Sequence, residues 1–256
     1  QQDKSITYGW VLGTSDGTKY AEHSGSGYGT PTSHRAEAWG MLSGTLFLYR
    51  LHMYVNFDTS TKPITASLFS DNSGLIQRLR QRFLYRHSYP NATLAPDWEI
   101  IEQIYLTSSQ LAHWVLSHKW VKGHKDEMMQ DLATEAKYNI HADALAGSVH
   151  IPQHQNQPQW VLPAEKCRLI IGTTPIHGHY IHEVRQSYLV PPLRAYLAQR
   201  YQWTASTQAT IDWEVIQVAA QNSQISQPQL VKLVHGKLPT RAEQSKAKPH
   251  STATCH

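Results

Sequence analysis

Ile64-Thr65-Ala66-Ser67-Leu68-Phe69-Ser70-Asp71-Asn72 is the stretch on which the fold turns. Pro63 closes the preceding segment, and the seven residues from Ile64 to Ser70 read as a buried β-strand. Asn72 suits a helix cap, because its short side chain can accept a bond from an orphan N–H of the first helical turn; the helix it opens reaches Phe83. Asp71 is left between strand and helix. In open α/β sheets such strand ends face a crevice where ligands collect, so an acid here is a candidate for chemistry.

Upstream, residues 6–13 and 18–25 read as two strands joined by the turn Ser15-Asp16-Gly17-Thr18. Gly25, Gly27 and Gly29 then loosen the chain before Pro31. A helix is expected from Ser33 to Met53, with Leu42, Leu46, Tyr49 and Met53 on one buried face. Downstream, Pro96-Asp97 opens a helix carrying Ile100, Ile101, Ile104 and Leu111, since proline and an acid both favour a first turn. Residues 114–121 read as a strand, and 131–147 as a helix with Leu132, Ala136, Ile140 and Leu145 partly in register. The order hairpin, helix, strand, helix, strand, helix belongs to an α/β layered domain.

After Gly147 the texture changes. Residues 148–163 hold three prolines and four glutamines and read as a linker. Leu169, Ile170 and Ile171 form a short strand, and Pro191-Pro192 breaks a helix candidate within 165–205. Further helices are expected from Asp212 and through Leu230–Val234.

Four residues stand out in this frame. Glu37 lies near a helix start in Ser33-His34-Arg35-Ala36-Glu37-Ala38. Asp71 lies at a strand end. His124 sits between lysines in Lys122-Gly123-His124-Lys125, where it could move a proton or touch phosphate. Asp143 lies on the helix containing Asn139-Ile140-His141-Ala142-Asp143. Three carboxylates gathered from separate elements are costly unless cations neutralise them, and a pair of hard cations can cleave a phosphodiester. Each residue alone is as ordinary as any solvated acid or loop histidine; their combined order is specific.

Those residues, with Gly9-Trp10-Val11, Phe69-Ser70-Asp71-Asn72 and Trp120-Val121-Lys122-Gly123-His124, resemble the ribonuclease H family over about residues 5–147. The nearer likeness is to the ribonuclease H portion that follows reverse transcriptases in retroelements. The resemblance implies an α/β fold, a ribonuclease H-like three-layer arrangement of a mixed five-stranded sheet flanked by helices; the helices read further on make a mostly helical C-terminal region the expected continuation. The resemblance also implies hydrolysis of the RNA strand of an RNA–DNA hybrid with two Mg²⁺ or Mn²⁺ ions. Glu37, Asp71 and Asp143 would be metal ligands, His124 the mobile histidine that assists turnover, and Lys122, Lys125 and Asn72 nucleic-acid contacts. The implied partners are the hybrid and the reverse transcriptase of the same polyprotein.

The family's first catalytic Asp belongs to a central strand about a dozen residues before the motif matched by Gly9-Trp10. That position falls before Gln1, and Asp3, the one acid nearby, fits a turn better than a strand. The expectation is therefore an N-terminally truncated ribonuclease H-like domain over 1–147, a tether over 148–205, and a helical region over 206–256. Val231–Thr240 looks like the approach to a small zinc module, with Cys255 as its first ligand and the chain ending at His256. No zinc site is expected, because one cysteine and one histidine cannot complete four-fold coordination. The alternative function is a non-catalytic nucleic-acid-binding remnant of the same family.

Composition agrees with these readings. The 256 residues are 40% hydrophobic and 16% charged, with net charge +4, which fits a globular class. From Gln229 onward five basic residues oppose one acid, so the whole net charge resides in this tail, compatible with phosphate contact. No apolar run is long enough for a membrane span. Two distant cysteines, Cys167 and Cys255, point to free thiols and an intracellular setting. His177, His179 and His182 cluster in a chain of 16 histidines, as chance allows. Gln186 breaks any zinc-protease pattern after His182-Glu183, and neither a phosphate loop nor a serine nucleophile turn occurs. Trp10, Trp39, Trp114, Trp120 and Trp160 read mostly as core or near-core residues rather than base-stacking platforms.

Overall fold

The computed structural model describes residues 6–55, 63–89, 91–123, 132–149 and 161–213, with residues 215, 218 and 222. Contacts divide the chain into a first unit, Gln1–Tyr188, and a second, Leu189–His256. Residues 161–188, expected as tether, therefore belong to the first unit.

The first unit is mixed α/β. β1 (Ile6–Gly13) and β2 (Lys19–Gly27) form an antiparallel hairpin. α1 (Ser33–Val55) follows, then β3 (Ile64–Ser70) and α2 (Ser73–Arg82). A 3-10 turn (Ala92–Leu94) leads to α3 (Trp98–Ser109), β4 (Trp114–Trp120) and α4 (Thr134–Gly147). β3 and β4 pair in parallel, from Ile64 opposite Trp114 to Ser70 opposite Trp120. β5 (Leu169–Ile171) and β6 (Thr174–Ile176) make a third, antiparallel pair. Among the described residues the strands form three two-stranded sheets, where the resemblance implied one sheet of five.

The strand and helix around Asp71 form as read. Asn72 caps α2, its Oδ1 accepting from the Leu75 N–H at 3.0 Å. β3, however, is buried on one face only: Ile64, Ala66 and Leu68 are covered more than Thr65, Ser67 and Phe69. Leu68 packs on the helix-covered side, whereas Ser67 and Ser117 share a hydrogen bond on the exposed side. A strand covered on one face alternates, and a covered-on-both reading does not apply.

The core lies between α1, α2 and α3. Leu42, Leu75, Ile76, Leu79, Ile100 and Ile104 are almost fully buried, each contributing about 1.5–3 kcal/mol on leaving water. Ile100, Ile101 and Ile104, named from the sequence, are all in this core cluster, and Leu111, just past the end of α3, is also buried. The face of α1 is the expected one in part: Leu42 is in the core and Leu46 packs against it, but the buried stripe is shifted. It runs through Ala38, Met41, Leu42, Thr45 and Leu48, while Met53 is exposed because the last turn of α1 extends past the core.

Two glycines admit close packing, and the first corrects the sequence reading. β2 continues to Gly27, since an added Cβ there would meet the Trp39 ring; the glycine admits the indole rather than loosening the chain. Gly9 admits α4, whose Ala142 carbonyl and Leu145 occupy the space a side chain would need. Tyr138 on α4 donates to the Thr14 and Thr18 carbonyls at 3.3 and 3.1 Å, fixing the helix over the hairpin turn.

α5 (Tyr180–Tyr201) is continuous through Pro191 and Pro192, which were expected to break it. Proline accepts helical φ; what it removes is the N–H bond to the residue four back, and the turns on either side carry the helix across. The division between units falls two residues before this pair. In the second unit, Thr204 caps the short α6 (Ala205–Ala209) through the Thr207 N–H at 3.2 Å, and the Arg194 guanidinium lies 5.1 Å from the Trp213 ring centre. No described helix is long and apolar enough to cross a membrane. The segments containing Asp3, Trp160, Val231–Thr240, Cys255 and His256 lie outside the described residues.

Candidate functional site

Glu37 is set by its neighbour Arg35. The Arg35 side chain is fully buried, donating to the Tyr28 carbonyl at 2.6 Å, to Asp97 Oδ1 at 2.6 Å and to Glu99 Oε1 at 2.7 Å. His34 Nδ1 lies 3.1 Å from Asp97, and His177 Nδ1 lies 3.0 Å from Glu99. Burial alone would raise both acids, but the histidine and arginine partners outweigh it and hold Asp97 and Glu99 below the usual carboxylate range. This cluster fixes the first turn of α1. Asp97, expected as a helix-end acid, sits at the start of α3 with φ 54° and makes no side-chain cap; its carboxylate serves Arg35 instead. The sequence reading missed this network, although Arg35 was in the quoted motif. The one signal was an arginine one turn from an apolar helix face.

From that anchored turn Glu37 reaches the end of β3. Its Oε2 accepts from Ser70 Oγ at 3.0 Å, and the same hydroxyl oxygen accepts the Asn72 N–H at 3.1 Å. Asp71 follows directly. The Trp120 indole donates to the Asp71 carbonyl at 2.8 Å, and the Val121 N–H to the Ser70 carbonyl at 3.1 Å, so the ends of β3 and β4 are tied together. Gly123 lies against the Asp71 carboxylate; a Cβ there would land on Oδ2. Asp143 approaches from α4 and is exposed.

The electrostatics join the three acids. Burial, then the negative charge of Asp71, and to a smaller extent that of Asp143, push the Glu37 carboxyl up from 4.5 to about 7; the Ser70 hydrogen bond opposes the rise. Near neutral pH Glu37 is therefore partly protonated. The three carboxylates come from a helix, a strand end and a second helix, and they share one electrostatic neighbourhood. They are not drawn to ligating distance: among the described residues no group of three or more His, Cys, Asp or Glu side chains could hold a metal ion.

The other expected site residues divide. Asn72 is present at the site, but its side-chain oxygen is committed to the α2 cap. Lys122 is exposed beside Gly123. His124 and Lys125 lie outside the described residues. His177 is buried against Glu99 as part of the Arg35 cluster. Trp120 is half exposed at the strand end, unlike the more covered Trp10, Trp39 and Trp114. Another titratable group is perturbed nearby: burial and then Arg80 lower His118 to about 4, so this strand histidine is neutral and packs against the Phe83 ring at 5.1 Å between centres.

Glu37 and Asp143 both line a cavity of about 700 Å³ bounded by β1, β3, α1 and α4. Comparison with family models, with curated proteins and with solved structures gives no match.

Proposed function

We propose that the chain carries the acidic centre of a ribonuclease H-like hydrolase acting on the RNA strand of an RNA–DNA hybrid. The observation that carries this reading is that Glu37, held beside the β3 end by Ser70 Oγ at 3.0 Å, feels the negative charge of Asp71 and, more weakly, of Asp143. Three like charges in one neighbourhood raise the cost of ionising Glu37. A hard cation removes that cost, and oxygen donors are the ligands Mg²⁺ and Mn²⁺ take. Carboxylates are the donors such a cation takes, but among the described residues these three do not form a ligand group as placed, so the reading requires them to close around the ion. Such a cation, when bound, supplies Lewis acidity and an activated water.

The chain's own residues have separable tasks in this reading. Ser70 orients the Glu37 carboxylate, and Trp120 pins the backbone carrying Asp71. Gly123 leaves room for the Asp71 carboxylate. Lys122, exposed next to it, meets phosphate, and His124 is proposed to assist turnover.

The test is cleavage of a labelled RNA–DNA hybrid in Mg²⁺ by the full chain and by Asp71→Asn and Asp143→Asn. Loss of cleavage of about 100-fold or more, about 2.7 kcal/mol of barrier, supports the assignment. Undiminished cleavage by either variant sinks it. A second reading, binding of nucleic acid without hydrolysis, is favoured by the carboxylates not closing into a ligand cluster. It expects salt-sensitive hybrid binding with no cleavage by the parent chain.

A further inference from the structure

Arg35 and Glu37 leave the first turn of α1 two residues apart, about 200° around the helix at 3.6 residues per turn. A turn held firmly on its Arg35 side is therefore held on its Glu37 side as well. A carboxylate about 5–6 Å from the helix axis travels about 2 Å when the turn rolls by about 20°. That is enough to part Glu37 from Ser70 Oγ, now 3.0 Å away.

The hold on the Arg35 side is not confined to the α/β layers. His177, far beyond α4 in the chain, touches both acids that grip the guanidinium. Its Nδ1 lies 3.0 Å from Glu99 Oε1, the same oxygen that accepts from Arg35 Nη2 at 2.7 Å. Its carbonyl accepts the Asp97 N–H at 2.8 Å. The imidazole is wedged as well: a Cβ on Gly29 would meet both its Cδ2 and the Arg35 guanidinium, and the Tyr28 ring stands edge-on to it, 6.2 Å between centres. Among the described residues its buried Nε2 has no hydrogen-bond partner, so the bond to Glu99 is the ring's whole polar contact.

Backbone strain marks the same junction. Among the described residues of the first unit, the non-glycine residues with positive φ are Asp97 at 54° and His179 at 52°. Asp97 is one end of the bond to His177, and His179 lies two residues past the other. Such backbone persists only where the surroundings over-determine it, and it collects at functional sites. Filling a core asks for neither a shared carboxylate nor a strained contact.

We propose that His177 is a positioning residue of the acidic site, and that residues 161–179 form a brace that sets Glu37 through Glu99, Arg35 and the first turn of α1. What Glu37 does rests on the hydrolase reading; how Glu37 is held does not.

Two substitutions separate positioning from packing. His177→Asn carries an amide donor near the place of Nδ1 and keeps the bond to Glu99, whereas His177→Phe keeps a ring against Tyr28 and loses the donor. Amide hydrogen exchange of the full chain is the first readout. In His177→Phe two amides are expected to exchange about tenfold or more faster: Ala36, bonded to the Thr32 carbonyl at 3.0 Å, and Asn72, bonded to Ser70 Oγ at 3.1 Å. The Ile104 amide, inside α3, is expected to stay as it is, and His177→Asn to behave as the parent. The second readout is cleavage of a labelled RNA–DNA hybrid in Mg²⁺. There kcat is expected to fall about tenfold or more in His177→Phe with KM within about twofold, and to recover in His177→Asn.

Equal acceleration at Ala36, Asn72 and Ile104 overturns the proposal, because the histidine then supports only the fold as a whole. An unchanged Asn72 amide, an unchanged kcat beside a parent that cleaves, or failure of His177→Asn to restore either readout overturns it too. A third measurement needs no substitution. In the parent chain under sub-denaturing urea, the Ala164 and Asp97 amides, which tie the brace to α3, are expected to open together with those of Ala36 and Asn72. Release of the first pair while the second stays protected refutes the brace. A parent chain that leaves the hybrid intact refutes the hydrolase reading instead, and exchange alone then decides the brace.

Discussion

Replacing Glu37 with Gln tests the electrostatic core of the site without any assay of activity. Gln keeps an oxygen to accept from Ser70 Oγ but has no proton to lose. In the parent chain the carboxyl moves from 4.5 to about 7 on folding. Between those values the folded state holds a proton that the unfolded state has released, so stability falls as pH rises. The contribution is fully present below about 4.5 and lost as pH passes 7. At about 1.4 kcal/mol per pH unit the window spans at most about 3.5 kcal/mol. Urea unfolding at half-unit steps from pH 4.5 to 8 reads this directly. At pH 5 parent and variant are expected to be close. At pH 8 the variant is expected to be the more stable by up to about 3.5 kcal/mol, a midpoint shift of about 1–2 M urea. Parallel curves over the whole range would show that Glu37 does not titrate between its ordinary value and neutrality, and the account of the crowded carboxylates would be wrong.

Three further outcomes follow from the same geometry. Gly123→Ala turns the Asp71 carboxylate away from its place and removes the second-largest cause of the Glu37 shift, so the pH slope of stability between 5 and 8 is expected to shrink; an unchanged slope would mean Asp71 has not moved or does not matter. Arg35→Met leaves Asp97 and Glu99 buried without their shared cation, and a loss of about 3–5 kcal/mol in chemical denaturation is expected; a loss below about 1 kcal/mol would reduce the cluster to decoration. Millimolar Mg²⁺ at pH 8 is expected to raise the melting temperature of the parent and much less that of Asp71→Asn, by linkage of binding to folding; equal shifts would place any bound cation elsewhere.

The elements most legible in the sequence were those whose signals are local. The β3 run, the Asn72 cap and the Ile100–Ile101–Ile104 face each rest on propensity or spacing within a few residues, and each formed. Asp71 and Glu37 could be picked out because a strand end and a helix start announce themselves in the chain. Elsewhere tertiary packing decided. Which stripe of α1 is buried depends on where α2 and α3 lie, so Met53 was assigned inward and is exposed. Gly27 looked like a hinge because nothing in the sequence says that Trp39 will press on it. Arg35 could not be seen as a buried fork, since its partners lie 62 and 64 residues away. Pro191 and Pro192 were read by the bond they forbid rather than by the helical φ they permit. The distance between the three acids is likewise a property of the packed elements, and no spacing in the chain encodes it.

The Arg35 cluster has a practical bearing on how this protein can be cut. Leu162 completes the core, the Ala164 N–H is held by Gln103 Oε1 at 3.0 Å, and the His177 carbonyl accepts the Asp97 N–H at 2.8 Å. A chain shortened to residue 147, where the change in texture invites a stop, would shed all three. It would uncover an apolar patch and leave Glu99 with one cation where it had two partners. Expression trials and limited proteolysis of the first unit should therefore aim beyond residue 179, and fragments ending earlier are expected to be recovered as aggregates.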